Sequence, residues 1–311
     1  MHDLIVIGGG PAGLAATTYA LAKGLDVGLI ATRPGGRAGD RQHYAGQAGP
    51  EALVGEEAAL SLQRYVTAYP QRLLDAVVVG LRKDDDMFSV RTEHTTWSSR
   101  AVIIATGAKP RMLGLPSEWR SIGLGVSYSI TTHAHAVAGR DVAVVGATPR
   151  ALLGVAELVQ CARSIALIAP EPGALASPLG QFLQQHARVR LLEGYHVQEI
   201  EAAVGSVQAI VVVREGITLR LPVQAVFVEL GLIPNSELVR ELVSLDAARR
   251  IVVDEQNRTA LPGLFAAGDV TNRVCEQILI AIGEGTRAAV SAYAYMLAQR
   301  LGITVSAVSA G

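Results

Sequence analysis

Only two cysteines, Cys161 and Cys275, occur in the 311 residues, and they lie far apart in sequence. That excludes a CxxC redox pair, a zinc knuckle and a disulfide framework. Aromatic residues are scarce at 5%, and charged residues make up 18%. Lysine is almost missing, with Lys23, Lys83 and Lys109 as the whole supply. No excess of one sign exists: 27 Lys and Arg stand against 28 Asp and Glu, a formal net charge of −1. A near-neutral chain lacks the cationic surface that binding a phosphate backbone requires, so nucleic acid is not expected as a partner. No uncharged apolar run reaches the length of about 18 residues needed to span a bilayer, so no membrane span is expected. An acidic residue, Asp3, and early glycines stand where a leader would have a basic and then an apolar stretch. The expected location is therefore cytoplasmic.

What fills the space is small and aliphatic. Half of the residues are hydrophobic, and 32 glycines come on top of that. Such a composition suits parallel strands buried on both faces. The length exceeds what one core usually supports, so two domains are expected. Asp3–Ile7 reads as a strand, Gly8–Gly13 as a glycine turn, Leu14–Lys23 as a helix and Asp26–Ile30 as a second strand. The segment Arg33–Ala48 reads as a long surface loop and Glu51–Tyr69 as a helix. Strands follow at Ala76–Leu81, Phe88–Thr92 and Ala101–Ala105. The pattern then restarts with a strand at Asp141–Val145, a turn at Gly146–Arg150, a helix at Ala151–Ala162 and a strand at Ser164–Ile168. Val189–Leu192, Val197–Ile200, Ala209–Val213 and Leu219–Leu221 read as a small antiparallel layer, with Ala225–Leu230 as a closing strand. A last helix is expected from about Glu276 to Gln299. The fold class is thus α/β with two Rossmann-like domains. A discontinuous first domain covers 1–114 and 247–311, and a second, 115–246, is inserted into it.

Gly8-x-Gly10-x-x-Gly13 follows a strand and opens a helix. In that setting the first glycine makes the tight turn, the second lets a pyrophosphate approach the backbone, and the third lets helix and strand pack closely. The free N–H groups and positive dipole end of the helix favour a phosphate there. The acidic residue that would bind a ribose diol at the end of the second strand is absent. Ala31 stands in its place, followed by Thr32 and Arg33, which become the candidate adenosine contacts.

Three further stretches, Val102–Pro110 (VIIATGAKP), Gly231–Asn235 (GLIPN) and Gly263–Asp269 (GLFAAGD), appear along the chain. Together with the fingerprint they resemble the low-molecular-weight thioredoxin reductase branch of the two-dinucleotide-domain flavoproteins. The resemblance covers nearly the whole chain. It implies FAD at the first site, held by Gly8, Gly10, Pro11, Ala12 and Gly13, with Gly35, Gly36 and Arg37 passing near the flavin. It adds Thr106 and Gly107, Gly268 and Asp269, and Glu276, Gln277 and Ile278. Asp269 would contact the ribityl or pyrophosphate region, and Gln277 the pyrimidine end. The Arg37–Gly49 loop departs from the family's usual loop.

The resemblance also shows what is missing. Its relatives carry a CxxC pair after a Gly-Val-Ser-Tyr stretch. Here Gly125-Val126-Ser127-Tyr128 is followed by Ser129-Ile130-Thr131-Thr132, so hydroxyls take both cysteine positions. A hydroxyl forms no disulfide and is not ionised at neutral pH, which excludes dithiol exchange. His133 stands where the family has an acidic proton donor; it reads either as a general acid or as a solvated loop residue. The second fingerprint, Gly146-Ala147-Thr148-Pro149-Arg150-Ala151, keeps the first glycine and the last small residue, and Thr148 is expected to project toward the pyrophosphate space. Ala169-Pro170-Glu171 replaces the family's cationic 2′-phosphate site, which argues against NADPH. Arg150 and Arg163 leave room for another anionic ligand. Glu276 would disfavour an anionic reduced flavin. Cys275 reads as a flavin-proximal thiol or a packed helix start, and Cys161 as core.

The functional expectation is an FAD-binding oxidoreductase without a dithiol, not dependent on NADPH, whose electrons come from a protein, for example a ferredoxin-like one, or from an unusual small donor. Two alternatives stand beside it. One is a ferredoxin–NAD(P) reductase, and the other a non-catalytic flavin sensor or scaffold; a second flavin or other nucleotide in the inserted domain suits the first reading or the last. The apolar helices Glu51–Tyr69 and Ala288–Ala298, with so few lysines, lead us to expect a homodimer formed through the FAD domain.

Overall fold

The computed structural model describes residues 1–39, 53–203, 205–273 and 276–304. Among the described residues the chain forms two units: one made of 1–39, 54–109 and 233–304, the other of 53 and 110–232. Strands and helices are numbered along the chain.

The first unit is built on a seven-stranded sheet. Its strands are β1 (His2–Ile7), β2 (Val27–Ile30), β3 (Leu73–Leu74), β4 (Val78–Asp84), β5 (Met87–Thr92), β6 (Thr96–Ile104) and β17 (Leu264–Ala266). The order is β3-β2-β1-β6-β5-β4, with β17 also on β6. Strand β6 is longer than the apolar run Ala101–Ala105 suggested, because its two halves do different work. The polar half pairs antiparallel with β5, Phe88 opposite Ser99. The apolar half runs parallel to β1 and β17. Side chains alternate across β1: Leu4 and Val6 face one core, and Ile5 and Ile7 face the other. The first core is covered by α1 (Pro11–Ala22) and α7 (Ile278–Leu301). These helices pack with almost no separation, since a Cβ on Gly285 would lie 2.0 Å from the Ala12 carbonyl oxygen. The second core includes Val239 and Val243. Residues 233–246, read from sequence as inserted, therefore pack in the first unit. Helix α2 (Glu56–Thr67) completes it, starting later than the expected Glu51; residues 51 and 52 lie outside the described residues. The chain leaves along β7 (Ala108–Pro110) and returns along β16 (Leu232–Pro234).

The second unit holds a five-stranded parallel sheet ordered β11-β10-β9-β15-β8. The strands are β8 (Val126–Ser127), β9 (Asp141–Val145), β10 (Ser164–Ala169), β11 (Val189–Glu193) and β15 (Ala225–Val228). Val189–Leu192 is thus a correction to the sequence reading. It is not part of the antiparallel layer; it lies parallel to β10, with Ile165 opposite Val189. The physical reason is α6 (Pro178–Gln184), a short helix not read from sequence, which supplies the crossover that parallel pairing requires. The antiparallel layer itself is β12 (His196–Ala203), β13 (Ser206–Arg214) and β14 (Ile217–Pro222). It covers one face of the sheet through Ile200, Ile210 and Val212. Helix α5 (Pro149–Cys161) and α6 cover the other. Two short helices, α3 (Pro116–Ser121) and α4 (Ile130–His133), follow β7 and β8 respectively.

Each sheet reverses its winding once: between β1 and β6 in the first, and between β9 and β15 in the second. Ligands of open α/β sheets bind in the crevice beyond the carboxyl ends of the strands at such a reversal. Among the described residues no helix is long and apolar enough to cross a membrane. No group of three or more His, Cys, Asp or Glu side chains among them is placed to hold a metal ion.

Candidate functional site

At the first reversal the backbone leaves β1 at Gly8, whose φ is +113°. A Cβ there would meet the Ala105 carbonyl oxygen at 2.3 Å, so only glycine fits between the two strand ends. Gly13 is tighter still, 1.8 Å from the Gly8 carbonyl oxygen. Gly10 is different: a Cβ on it would touch nothing within 4 Å. It is the N-cap of α1 and offers no side-chain cap, and Pro11 occupies the first turn. The helix thus begins with an uncapped end beside open space. Gly35 donates its N–H to the Gly9 carbonyl at 2.8 Å, and Gly36 lies against Gly10, which brings the 35–37 turn over the same place. Gly268 rests on Ala12 from the other side.

Two charged side chains meet here. Arg37 Nη2 lies 2.5 Å from Asp269 Oδ2, with the arginine 40% and the aspartate 18% exposed. Ala31 is buried, while Thr32 and Arg33 are exposed beyond β2. Thr106 and Gly107 follow β6 and are fastened by Asn235. Thr106 Oγ1 donates to the Asn235 carbonyl at 2.8 Å, and the Asn235 side chain and backbone donate back to the Thr106 and Gly107 carbonyls. Glu276 and Gln277 are half-buried, and Gln277 caps α7 through its carbonyl, so that helix begins at Ile278 rather than at Glu276. Sequence reasoning missed Glu284. It is 6% exposed and accepts the Gly268 N–H at 2.7 Å, which fixes the turn that carries Asp269. Burial, and secondarily the Asp269 charge, hold its carboxyl above the usual carboxylate range. A lone acid among small residues on a helix gave no signal of this.

At the second reversal the protein's own side chains pair with one another. Gly146 has φ +121° and keeps the tight turn, packed on the Glu229 carbonyl oxygen. Thr148 does not project into the crevice as expected, because its hydroxyl has a nearer partner: it turns back to cap α5, accepting the Ala151 N–H at 3.0 Å. Arg150 reaches across to Glu229, Nη1 to Oε2 at 2.8 Å, and Nη2 donates to Ser129 Oγ at 3.2 Å. Glu229 is 2% exposed, and its Oε1 accepts the Ile130 N–H at 2.8 Å. Ser129 Oγ and Thr132 Oγ1 are themselves 2.8 Å apart. Arg163 pairs with Asp141. Both arginines read as free positive charge are therefore matched by carboxylates. His133 is buried at the end of α4, which removes the solvated-loop reading. Cys161 is half-buried and packs against the edge of the core as expected, its Sγ donating to the Ala134 carbonyl, and burial pushes the thiol up. Cys275 and residues 40–49 of the Arg37–Gly49 loop lie outside the described residues.

Residues 2–285 match the family model described as pyridine nucleotide-disulphide oxidoreductase. The chain belongs to this family. It is 31% identical over 299 residues to the NADH dehydrogenase of Bacillus subtilis (strain 168), covering 95% of this chain and 58% of that protein. It is 30% identical over 305 residues to an alkyl hydroperoxide reductase component from Xanthomonas campestris pv. phaseoli, covering 95% of this chain and 57% of that protein. The chain therefore spans under three fifths of the length of these curated relatives. Among solved structures, the thioredoxin reductase of Streptococcus pyogenes MGAS5005 superposes with a TM-score of 0.85 at 28% identity, covering 96% of this chain and 99% of that one. The thioredoxin reductase-like fold expected from the motifs is the fold observed.

Membership of the pyridine nucleotide-disulphide oxidoreductases implies a bound flavin, FAD. The first crevice fits it. An open face at Gly10, an uncapped helix start and glycines that admit no Cβ on either side form a cradle for a pyrophosphate.

Proposed function

We propose that this chain is an FAD-dependent oxidoreductase that works without a redox-active dithiol and takes its electrons from a donor other than NADPH. The observation that carries the reading is the Ser129 Oγ–Thr132 Oγ1 contact of 2.8 Å where relatives would carry two sulfurs. Neither hydroxyl stores an electron pair, so no electrons pass from this unit to a partner disulfide.

Gly8, Gly10, Pro11, Ala12 and Gly13 would hold the FAD pyrophosphate, and Thr32 and Arg33 the adenosine end. Arg37 and Asp269 would exchange their mutual ion pair for contacts with the cofactor, the cation to phosphate and the carboxylate to hydroxyls. Thr106, Gly107, Gly268, Glu276, Gln277 and Ile278 would complete the wall. Bound flavin supplies transfer of one or two electrons. This chain's own residues bind and orient it, and Glu284 holds the Gly268–Asp269 turn in place.

The second crevice, closed to a pyrophosphate by the Arg150–Glu229 pair, and the Ala169-Pro170-Glu171 segment argue against NADPH; a small one-electron protein of the ferredoxin class is the donor proposed in its place. The same closure argues against the ferredoxin–NAD(P) reductase reading and against a second nucleotide at that place. It favours one other reading, a flavin module that turns over nothing. The reading extends to a homodimer formed through the FAD unit and acting in the cytoplasm.

The test is anaerobic mixing of the FAD-loaded protein with NADH, NADPH and reduced ferredoxin in turn, following flavin absorbance. Bleaching by ferredoxin and not by NADPH supports the proposal. Rapid bleaching by NADPH, or NADPH-dependent turnover of thioredoxin or an aromatic disulfide, overturns it. No bleaching by any of the three favours the non-catalytic module.

A further inference from the structure

We infer that Glu229 is the specificity-determining residue of the second crevice: its buried carboxylate, locked to Arg150, excludes dinucleotide pyrophosphates from a place otherwise built to receive them. The inference rests on the reading above that NADPH is not the donor.

Three strand ends converge there. β9 ends at Val145 and turns through Gly146 into α5, β15 ends at Val228 just before Glu229, and β8 ends at Ser127 just before Tyr128 and Ser129. This is the carboxyl edge of a parallel sheet at its winding reversal, where a nucleotide phosphate is expected to sit. Arg150 stands in the first turn of α5, so its guanidinium and the helix N-terminus would both favour an anion. An anion is already present, and it belongs to the protein. Glu229 Oε1 accepts the Ile130 N–H, and Oε2 forms the ion pair with the Arg150 guanidinium. The other terminal guanidinium nitrogen is held by Ser129 Oγ and the Tyr128 carbonyl. A pyrophosphate entering here would have to share one cation with a carboxylate that cannot leave, because it is 2% exposed. Two anions around one cation in a poorly hydrated place repel.

The first crevice supplies the contrast within the same chain. There the ion pair, Arg37–Asp269, is more exposed, 40% and 18%, and the helix start carries no side-chain cap.

Removing the Glu229 charge takes one buried carboxylate away from the half-buried Arg150 and so favours uptake of a replacement anion beside it. Glu229→Gln does this with little change of shape, and the amide oxygen can still accept the Ile130 N–H. The probe is ADP-ribose, which carries the pyrophosphate without a nicotinamide, titrated calorimetrically into the full chain loaded with FAD. We expect Glu229→Gln to bind ADP-ribose at least about tenfold more tightly than the wild-type protein, and Glu229→Gln/Arg150→Ala to return to the wild-type level. A merely structural ion pair would give loss of stability and no such gain. If Glu229→Gln does not fold, Glu229→Ala is used, read as a rise in Tm with ADP-ribose that the wild-type protein lacks. Failure of both variants to gain affinity, survival of the gain without Arg150, or wild-type binding as tight as the variant's would each overturn the inference. Bleaching of the wild-type flavin by NADPH tests the electron-donor reading separately, so the two can fail independently.

Discussion

At the scale of single residues the chain separates two kinds of glycine that sequence treats alike. A Cβ on Gly10 would stand in open space, and one on Gly13 would lie 1.8 Å from the Gly8 carbonyl oxygen. Gly10→Val should therefore give a folded protein without FAD, its branched side chain standing in the path of the pyrophosphate. Gly13→Ala should instead lose soluble, folded protein, because strand and helix must part. Full flavin content in purified Gly10→Val, measured by absorbance after denaturation, would show that the cofactor lies elsewhere. Glu284 gives a pH-dependent expectation. Burial raises its carboxyl above the ordinary 4.5, so the folded protein holds this proton more tightly than the unfolded chain. Its contribution to stability is complete below the ordinary value and is lost as pH rises through the folded one. Glu284→Gln keeps an acceptor for the Gly268 N–H and has no proton to lose. Its Tm relative to wild type should rise as the pH is taken above the ordinary 4.5, and a pH-independent difference would refute the assignment. The glycine fingerprint was legible because each glycine answers a constraint within a few residues. Neither Glu284 nor the Arg150–Glu229 pair was, because their partners are brought together only by the fold.

Among elements, the starts of several helices were read late or not at all: α1 and α5 begin before the expected Leu14 and Ala151, and α3 and α6 were not read. Pro11, Pro149, Pro178 and Pro116 each open a helix, where a missing N–H costs nothing. The strand Asp141–Val145 appears with the limits read from its apolar run. Strand β6 was read only in its apolar half, since Trp97, Ser98 and Ser99 carry no alternation that marks a strand; pairing with β5 makes them one. Thr148 shows how one substitution changes an element's use. Its hydroxyl caps α5 where a glycine would have left the N–H groups free for a ligand. Thr148→Ala should lower stability by about 1 kcal/mol through loss of the cap, without changing FAD content. A larger loss accompanied by release of flavin would mean that the helix start does more than close itself.

For the whole molecule, the distribution of apolar surface bears on assembly. Helix α7 keeps Leu279, Ile280 and Val290 exposed, and Val54 and Tyr65 are exposed in and beside α2. All belong to the FAD unit. The composition that made two Rossmann-like units legible also explains why so little charge is left to keep such positions solvated: lysine is almost absent and the net charge is −1. An isologous contact uses one such patch twice, so a single apolar face on the FAD unit suffices for a closed dimer. Replacing Ile280 and Val290 with lysine should then shift the protein toward monomer while leaving FAD bound, because both side chains point away from the core that α7 shares with α1. Light scattering at micromolar concentration should give twice the 32.6 kDa chain mass for wild type and a lower mass for the double variant. A wild-type mass of one chain would defeat the expectation and leave these side chains as scattered surface hydrophobes of the kind that need no partner.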